Sequence, residues 1–283
     1  MSEIAMLHEK DPHGGDVQHP GAGAGVAPMS SSSSAIYPSL KGKRVVVTGG
    51  GSGIGAGLVE GFVRQGAQVV FLDVAEADSR ALVARFADAP VAPRFLACDL
   101  TDLGALKTTF AQIEQEIGPV EVLVNNAGND DRHTLAQVTP AYWDDRINVN
   151  LRHMLFCAQA VAPGMKAAGG GVIINFGSIS WHLGLPDLVL YETAKAGIEG
   201  MTRALARELG PDGTRVVCIA PGNVKTPRQM KWYTPEGEAE IVAAQCLKGR
   251  IDPSHVASLV MFLASDDARM CTGHEYWIDA GWR

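Results

Sequence analysis

Two patterns of apolar residues alternate along the chain from about residue 41 onward. Short runs rich in Val, Ile and Leu are separated by longer stretches in which apolar residues recur every three or four positions. The runs are typical of strands buried on both faces, and the longer stretches are typical of amphipathic helices. The predicted strands are 44–47, 68–73, 94–98, 120–124, 171–176, 214–219 and 275–278. The predicted helices are 53–65, 77–87, 103–116, 142–166, 191–208, 236–246 and 254–264.

This regular alternation predicts an α/β fold, with one parallel sheet of about seven strands and helices on both of its faces. Connections between neighbouring parallel strands are expected to be right-handed. We find no internal repeat, and we predict one folded domain over residues 37–283. Residues 1–36 are rich in Gly and Ser and poor in apolar residues, so we predict a disordered tail. Met29, just before the run of serines, is an alternative start of the protein.

Composition narrows the class of protein. Charged residues make up 19% of the 283 residues, below the usual quarter, which favours subunit interfaces. The net charge of −7 argues against a nucleic acid partner. The longest apolar runs, such as 259–264, are too short to span a membrane, and no secretory leader is visible. The scattered cysteines are expected to be free thiols of a cytoplasmic protein and not metal ligands: Cys98, Cys157, Cys218, Cys246 and Cys271.

A glycine-rich segment, Thr48 to Gly55, separates the first predicted strand from the first helix. Glycine allows backbone N–H groups to approach a pyrophosphate, and the start of the helix favours negative charge. Asp73 ends the second strand, 18 residues beyond Gly55, where a carboxylate accepts the ribose hydroxyls of NAD and repels the 2′-phosphate of NADP. We therefore predict an NAD site that includes Gly49, Ser52, Gly53, Ile54, Gly55 and Asp73. An ordinary turn is the alternative for Asp73.

The next two strands end in residues that suit the rest of a dinucleotide. Asp99 and Leu100 follow the third strand, where an adenine is expected to lie. Asn126, Ala127 and Gly128 follow the fourth strand, and their backbone is expected to pass close to a ribose. Each of these two segments is alternatively an ordinary turn.

A second group of residues points to proton transfer. Tyr191 and Lys195 are four residues apart in a predicted helix, so they share one face at about 6 Å between Cβ atoms. A nearby ammonium lowers the pKa of a phenol, which makes it a better base for an alcohol. Ser178 follows the fifth strand, at the sheet edge where α/β proteins bind ligands. Asn150, if buried beside Lys195, is able to hold a water. A surface Tyr–Lys pair and a surface Asn are the alternatives.

In order and spacing, these motifs resemble the short-chain dehydrogenase/reductase family. The resemblance covers about residue 37 to the C-terminus and includes the 13-residue separation of Ser178 from Tyr191. It implies a Rossmann-type, doubly wound dinucleotide-binding catalytic domain. Tyr191 is then the general acid/base, Lys195 lowers its pKa and binds the nicotinamide ribose, Ser178 positions the substrate oxygen, and Asn150 supports a water that relays protons. Contacts at the nicotinamide end are implied for Pro221, Gly222, Val224 and Thr226.

Five strings resemble sugar-oxidising members of this family: 129–133, 177–185, 222–226, 231–238 and 273–283. They imply an aldopentose that is oxidised at C1 to its lactone. We expect no metal, because the Tyr191 phenolate and Ser178 supply the proton acceptor and the electrophilic contact. Three polar loops leave the carboxyl edge of the sheet, and we expect them to converge on a sugar. The candidate substrate residues are Asn129, Trp181, His182, Arg228, Trp232 and Tyr233. Packing of Trp232 and Tyr233 against the core, and a structural role for His182, are the alternatives.

Other functions remain open at this stage. The same catalytic residues suit another sugar such as L-arabinose, a secondary alcohol, or a 3-oxoacyl thioester, the last disfavoured by Asp73. A dinucleotide-binding sensor on the same fold is a further alternative, although the intact Ser–Tyr–Lys set argues against it. The family resemblance implies a homotetramer. Trp282 and Arg283 are alternatively expected to close the active site of a neighbouring subunit.

Overall fold

The computed structural model describes residues 35–231 and 233–283. Apart from residues 35 and 36, the predicted disordered tail lies outside the described residues, and so does Trp232. Within the described ranges, no helix is long and apolar enough to cross a membrane.

One sheet of seven parallel strands forms the centre of the fold, as the alternation of strand and helix predicts. The strands lie in the order β3-β2-β1-β4-β5-β6-β7. Their bounds are Arg44–Thr48 for β1, Gln68–Asp73 for β2, Arg94–Ala97 for β3, Val122–Asn125 for β4, Gly171–Phe176 for β5, Thr214–Pro221 for β6 and Glu275–Ile278 for β7. Because β1 lies between β2 and β4, the order reverses beside β1, and a crevice opens there at the carboxyl edge of the sheet.

Helices cover both faces of this sheet. Alternate residues of a strand point to opposite faces, so Val45 and Val47 of β1 belong to one hydrophobic core, and Val46 belongs to the other. The helices are α1 Gly53–Arg64, α2 Glu76–Arg85, α3 Leu103–Ile117, α4 Pro140–Ile147, α5 His153–Ala167, α6 Ser180–Leu183, α7 Val189–Leu209, α8 Pro235–Ala244 and α9 Pro253–Ala264. Residues from α1 and α9 fill the first core, and residues from α3 and α5 fill the second.

The long helix predicted over 142–166 is interrupted in the structure. A π-helical turn, Asn148–Arg152, joins α4 to α5. Two side chains within or next to this turn use backbone carbonyls one turn earlier: Asn150 Nδ2 donates to Arg146 O at 3.0 Å, and His153 Nε2 lies 3.1 Å from Val149 O. Such competition for carbonyls accompanies the widening of the helix, a feature common at functional sites.

Candidate active site

A cavity of about 690 Å³ occupies the carboxyl edge of the sheet, at the crevice beside β1. Its dinucleotide end comprises the glycine segment Thr48–Gly55 and the residues after β2 and β3. Its substrate end comprises the residues around Ser178 and Tyr191, residues 129, 130 and 132 after β4, and residues 226–229 and 233 after β6. Of the predicted site residues, those lining the cavity are Gly49, Ser52, Gly53, Ile54, Gly55, Asp73, Asp99, Leu100, Asn126, Ala127, Gly128, Asn129, Ser178, Tyr191, Lys195, Pro221, Gly222, Val224, Thr226, Arg228 and Tyr233.

The glycine segment leaves room for a pyrophosphate beside the start of α1. Gly49 has φ +64°, and a Cβ atom there would lie 2.8 Å from Ala127 Cα. A Cβ atom on Gly55 would overlap the carbonyl oxygen of Gly49. Ser52, the N-cap of α1, makes no side-chain hydrogen bond to the first turn, so N–H groups of that turn remain available to an anion. These backbone features fit a dinucleotide.

Asp73 closes the dinucleotide end. Its Oδ2 accepts a hydrogen bond from Gly51 N at 2.8 Å, and its Oδ1 accepts one from Ala75 N at 2.9 Å. Both bonds hold the carboxylate at the end of β2, where it lines the cavity. The cations among the described cavity-lining residues, Lys195, Arg132 and Arg228, belong to α7 and to the loops after β4 and β6. Among the described residues, the side chains that carry charge at the dinucleotide end are therefore acidic.

The ends of β3 and β4 complete this half of the cavity. Asn126 Nδ2 donates to the carbonyl oxygens of Thr48 and Gly49, at 3.0 and 2.9 Å, so its amide braces the glycine segment. Asp99 Oδ1 accepts from the backbone and hydroxyl of Thr101, at 2.9 and 2.7 Å, and forms a local turn. Asp99 and Asn126 thus make turn or bracing contacts and line the cavity as well.

Asn150 and Lys195 both lie close to Gly128. Asn150 is fully buried; its Oδ1 accepts from Asn129 N at 2.7 Å, and its Nδ2 donates to Asn129 O at 2.9 Å. A Cβ atom on Gly128 would lie 3.1 Å from Asn150 Oδ1 and 3.5 Å from Lys195 Nζ. Lys195 Nζ donates to Phe176 O at 2.7 Å and lies 5.3 Å from the centre of the Tyr191 ring. Burial lowers the pKa of Lys195 to about 8.

Tyr191 lies beside Ser178 at the substrate end of the cavity. Burial raises the pKa of Tyr191 above its ordinary value, and the charge of Asp130 raises it further. Hydrogen bonding to Ser178 and the charges of Arg228 and Arg132 lower it. Burial is the largest of these effects, and it opposes the lowering of the pKa that we expect from Lys195. Ser178 Oγ in turn accepts a hydrogen bond from Ser180 Oγ at 2.9 Å.

Two loops meet above Tyr191, as expected from their positions at the sheet edge. Arg228 Nη2 donates to Asn129 Oδ1 and to Asp131 Oδ1, each at 2.9 Å. Gln229 Nε2 donates to Asp130 Oδ2 at 3.0 Å, and Tyr233 OH donates to Gln229 Oε1 at 2.8 Å. The loop after β4 and the segment after β6 thus form one polar wall.

Trp181 and His182 are not among the described residues that line the cavity. The two rings stack with centroids 3.6 Å apart, and His182 Nε2 lies 2.8 Å from Glu275 Oε2. Ligand atoms of His182, Glu199 and Glu275 all lie within 4.8 Å of one another. The structure gives His182 a partner at the sheet edge instead of a place in the cavity.

Comparison with known proteins identifies the family of this chain. The family described as enoyl-(acyl carrier protein) reductase matches residues 49–283. A D-xylose 1-dehydrogenase of Caulobacter vibrioides is 77% identical over 251 residues, which are 89% of this chain and 100% of that protein. The chain belongs to the short-chain dehydrogenase/reductase family. It is therefore a dehydrogenase that binds a nicotinamide dinucleotide, and not a sensor on the same fold.

More distant members of the family agree on the fold and differ in their substrates. The probable galactose dehydrogenase GalD of Rhizobium meliloti is 46% identical over 250 residues, which are 88% of this chain and 98% of that protein. A 7α-hydroxysteroid dehydrogenase, solved with NADH and 7-oxo glycochenodeoxycholic acid, has a TM-score of 0.82 at 28% identity. That alignment covers 86% of this chain and 94% of the steroid enzyme. The family membership fixes the type of reaction, and the substrate end decides the substrate.

Sequence reasoning missed several residues of this dehydrogenase cavity. His153 lines it, and burial lowers the pKa of His153 to about 4, with the charge of Lys195 acting in the same direction. Trp282 lines the cavity of its own chain, although its position near the C-terminus also suited a neighbouring site. Leu183, Leu185 and Leu188 line it between α6 and α7. Spacing in the sequence carries no signal for these residues, because only chain folding brings them to the cavity.

Proposed function

We propose that this dehydrogenase oxidises D-xylose at C1 to its lactone, with NAD as the hydride acceptor. The observation that carries the proposal is the 77% identity to a D-xylose 1-dehydrogenase along the whole length of that relative. Polar groups at the substrate end, including Asn129, Asp130 and Arg228, suit a ligand that presents several hydroxyl groups.

We assign the proton transfer to Tyr191. As a phenolate, it removes the proton of the anomeric hydroxyl, and Ser178 donates a hydrogen bond to the oxygen that becomes the lactone carbonyl. Lys195, held by Phe176 O at 2.7 Å, places an ammonium beside the phenol and favours the phenolate. Asn150, which like Lys195 lies close to Gly128, supports a water that carries the proton onward. Bound NAD supplies the acceptor for the hydride that leaves C1.

The preference for NAD rests on Asp73. Its carboxylate is held by two backbone N–H groups at the end of β2, facing the cavity. The 2′-phosphate of NADP would meet this negative charge, and the described residues that line the dinucleotide end include no Lys or Arg to neutralise it. We assign the remaining cofactor contacts to the predicted set from Gly49 to Gly55, to Leu100 and Ala127, and to Pro221, Gly222, Val224 and Thr226.

Galactose and L-arabinose are the principal alternative substrates. The 46% identity to a probable galactose dehydrogenase favours the first, and the shared polar loops suit both. A spectrophotometric assay at 340 nm with D-xylose, L-arabinose, D-galactose, D-glucose, D-ribose and 2-propanol, each with NAD or NADP, separates these functions. We expect NADH formation to be fastest with D-xylose and slow with NADP. Turnover of 2-propanol or galactose in preference to D-xylose would overturn the substrate assignment while leaving the family intact.

We also propose a cytoplasmic homotetramer. Strand β7 lies at an edge of the sheet, where Tyr276 and Trp277 are only partly buried, and Leu155 on α5 is 44% exposed. Such apolar surface is typical of subunit contacts. The five free thiols suit a reducing compartment. Light scattering after size exclusion is expected to give four times the chain mass of 29.9 kDa.

A further inference from the structure

The last five residues of the chain form a turn that is held in place by Asp279. This side chain is 9% exposed; its Oδ1 accepts from Gly281 N at 2.9 Å, and its Oδ2 accepts from Arg283 N at 3.1 Å. Ala280 and Gly281 have left-handed backbone, with φ +57° and +72°. Because a non-glycine residue rarely adopts this conformation, the contacts around it must hold the turn.

The turn packs against the cavity from the side of β6. A Cβ atom on Gly222 would lie only 2.7 Å from Asp279 Cα, and Gly222 N donates to Ile278 O at 2.9 Å. On the other side, Cys246 N donates to Gly281 O at 3.2 Å. The path of the chain end is therefore set by backbone contacts within the same chain.

A second anchor holds the terminal side chain. Arg283 Nη1 lies 2.8 Å from His182 Nδ1, and its guanidinium lies 4.6 Å from the centre of the Trp277 ring. Arginine only donates hydrogen bonds, so His182 Nδ1 accepts, and the ring proton is on Nε2, which donates to Glu275 Oε2 at 2.8 Å. Burial lowers the pKa of His182 to about 4, which agrees with a neutral ring. The side chains of His182 and Glu275 are each 7% exposed, so the hydrogen bond between them is shielded from water.

Between these two anchors lies Trp282, which is partly buried and lines the cavity. Leu183, Leu185 and Tyr233 line the same cavity. An indole presents a large apolar face with few rotatable bonds, which suits the C–H face of a pyranose ring. The polar wall of Asn129, Asp130 and Arg228 offers hydrogen bonds to hydroxyl groups, so the two walls recognise different faces of one sugar.

We propose that Trp282 is a specificity-determining residue of its own chain's substrate site, and that His182 is a positioning residue that holds it there through Arg283. This inference rests on the proposed sugar oxidation. It replaces a direct contact between His182 and substrate with an indirect role, and it assigns the aromatic contact to the chain end.

The experiment compares steady-state kinetics of Trp282→Ala and Trp282→Phe with a matched control, Trp143→Ala, which removes a 44% exposed Trp on α4 that does not line the cavity. For Trp282→Ala we expect KM for the sugar to rise at least about tenfold, the factor that corresponds to one good aromatic contact, with KM for NAD unchanged. Trp282→Phe is expected to fall between Trp282→Ala and wild type, and Trp143→Ala is expected to match wild type. An unchanged sugar KM in Trp282→Ala would overturn the role of Trp282.

The role of His182 is also tested by measuring KM for the sugar. His182→Ala is expected to raise KM for the sugar with little effect on kcat, whereas His182→Asn keeps an acceptor for Arg283 and restores much of the affinity. In a Trp282→Ala background, His182→Ala is expected to add nothing, because it acts through the indole. Additive effects would show that His182 acts independently of Trp282.

A mixed oligomer tests whether Trp282 contributes to the substrate site of its own chain or to that of a neighbouring chain. Subunits carrying Tyr191→Phe keep Trp282, and subunits carrying Trp282→Ala keep Tyr191. If Trp282 served a neighbour, co-expression would restore a low sugar KM; we expect no rescue. A wild-type protein that oxidises no sugar would instead refute the proposed function, which separates that failure from a failure of this inference.

Discussion

At the dinucleotide end of the cavity the walls are mostly backbone, whereas at the substrate end they are side chains from distant parts of the chain. The glycine segment follows β1 directly, and Asp73 is held by backbone N–H groups of Gly51 and Ala75. At the other end, one hydrogen-bonded wall joins Arg228 to Asn129, which are 99 residues apart in sequence.

This difference shows that binding of the cofactor depends mainly on backbone, whereas the specificity for the substrate depends on side chains. A backbone cradle depends on residue type at a few positions, so it tolerates little change there. A wall of side chains changes with single substitutions, so the substrate changes while the fold and cofactor remain. The steroid enzyme, which was solved with NADH and a steroid, illustrates this, since it aligns with a TM-score of 0.82.

The largest expected effect separates the two ends completely. Tyr191→Phe removes the proposed base and leaves the dinucleotide end intact, so we expect turnover to fall by about 10³-fold or more. NAD affinity, measured by fluorescence titration, is expected to remain near the wild-type value. Tyr37→Phe, which alters a phenol outside the cavity, is the control. Substantial turnover by Tyr191→Phe would remove Tyr191 from the proposed mechanism.

A glycine substitution tests the backbone cradle. A Cβ atom on Gly55 would overlap Gly49 O, so Gly55→Ala is expected to destabilise the fold by roughly 1–3 kcal/mol and to weaken NAD binding. In contrast, nothing lies within 4 Å of a Cβ atom on Gly200 in α7, where Ala is expected to stabilise by about 0.5–1 kcal/mol. Thermal unfolding and NAD titration measure both. Equal changes in stability and in NAD affinity for the two variants would contradict close packing around Gly55.

Lys195 belongs to the substrate end, and its buried ammonium destabilises the fold to an extent that depends on pH. Its pKa is lowered to about 8 by burial, from an ordinary value of 10.5. Between pH 8 and 10.5 the unfolded chain binds the proton that the folded chain has released, so wild-type stability rises with pH. Removal of this ammonium in Lys195→Met eliminates the effect.

The expected advantage of Lys195→Met in the free energy of unfolding therefore shrinks by on the order of 3 kcal/mol as pH rises from 8 to 10.5. Urea unfolding at several pH values measures it. Lys166→Met removes an exposed ammonium and is expected to differ from wild type by the same amount throughout. If the difference from wild type in the free energy of unfolding is independent of pH for both variants, burial does not lower the pKa of Lys195.

The smallest effect concerns the choice of cofactor. Asp73→Ala removes the carboxylate that faces the second ribose, so we expect kcat/KM for NAD to fall about tenfold, as for one lost polar contact of 1.4 kcal/mol. The preference for NAD over NADP is expected to narrow with it. Asp88→Ala, an exposed acid outside the cavity, serves as the control. If the ratio of kcat/KM for NAD to kcat/KM for NADP is the same in Asp73→Ala as in wild type, another group sets the cofactor preference.

Much of the fold was predictable from local patterns. The seven strands and the parallel sheet follow from the alternation of apolar runs and helical periodicity, and the structure confirms them. The interruption of the helix at Asn148–Arg152 was not predictable, because it depends on what the buried side chain of Asn150 contacts across the fold. Helical periodicity alone favours a continuous helix there.

The candidate site also has parts that local patterns predict and parts that only tertiary contacts determine. Local patterns were enough to predict the glycine segment, Asp73 and the Tyr191–Lys195 pair, since the first two lie in one βαβ unit and the pair lies on one helix. Whether His182 or Trp282 faces the cavity was decided only when β7 and the chain end packed beside α6. A side chain points where contacts between distant segments leave space for it, and no local pattern in the sequence contains that information.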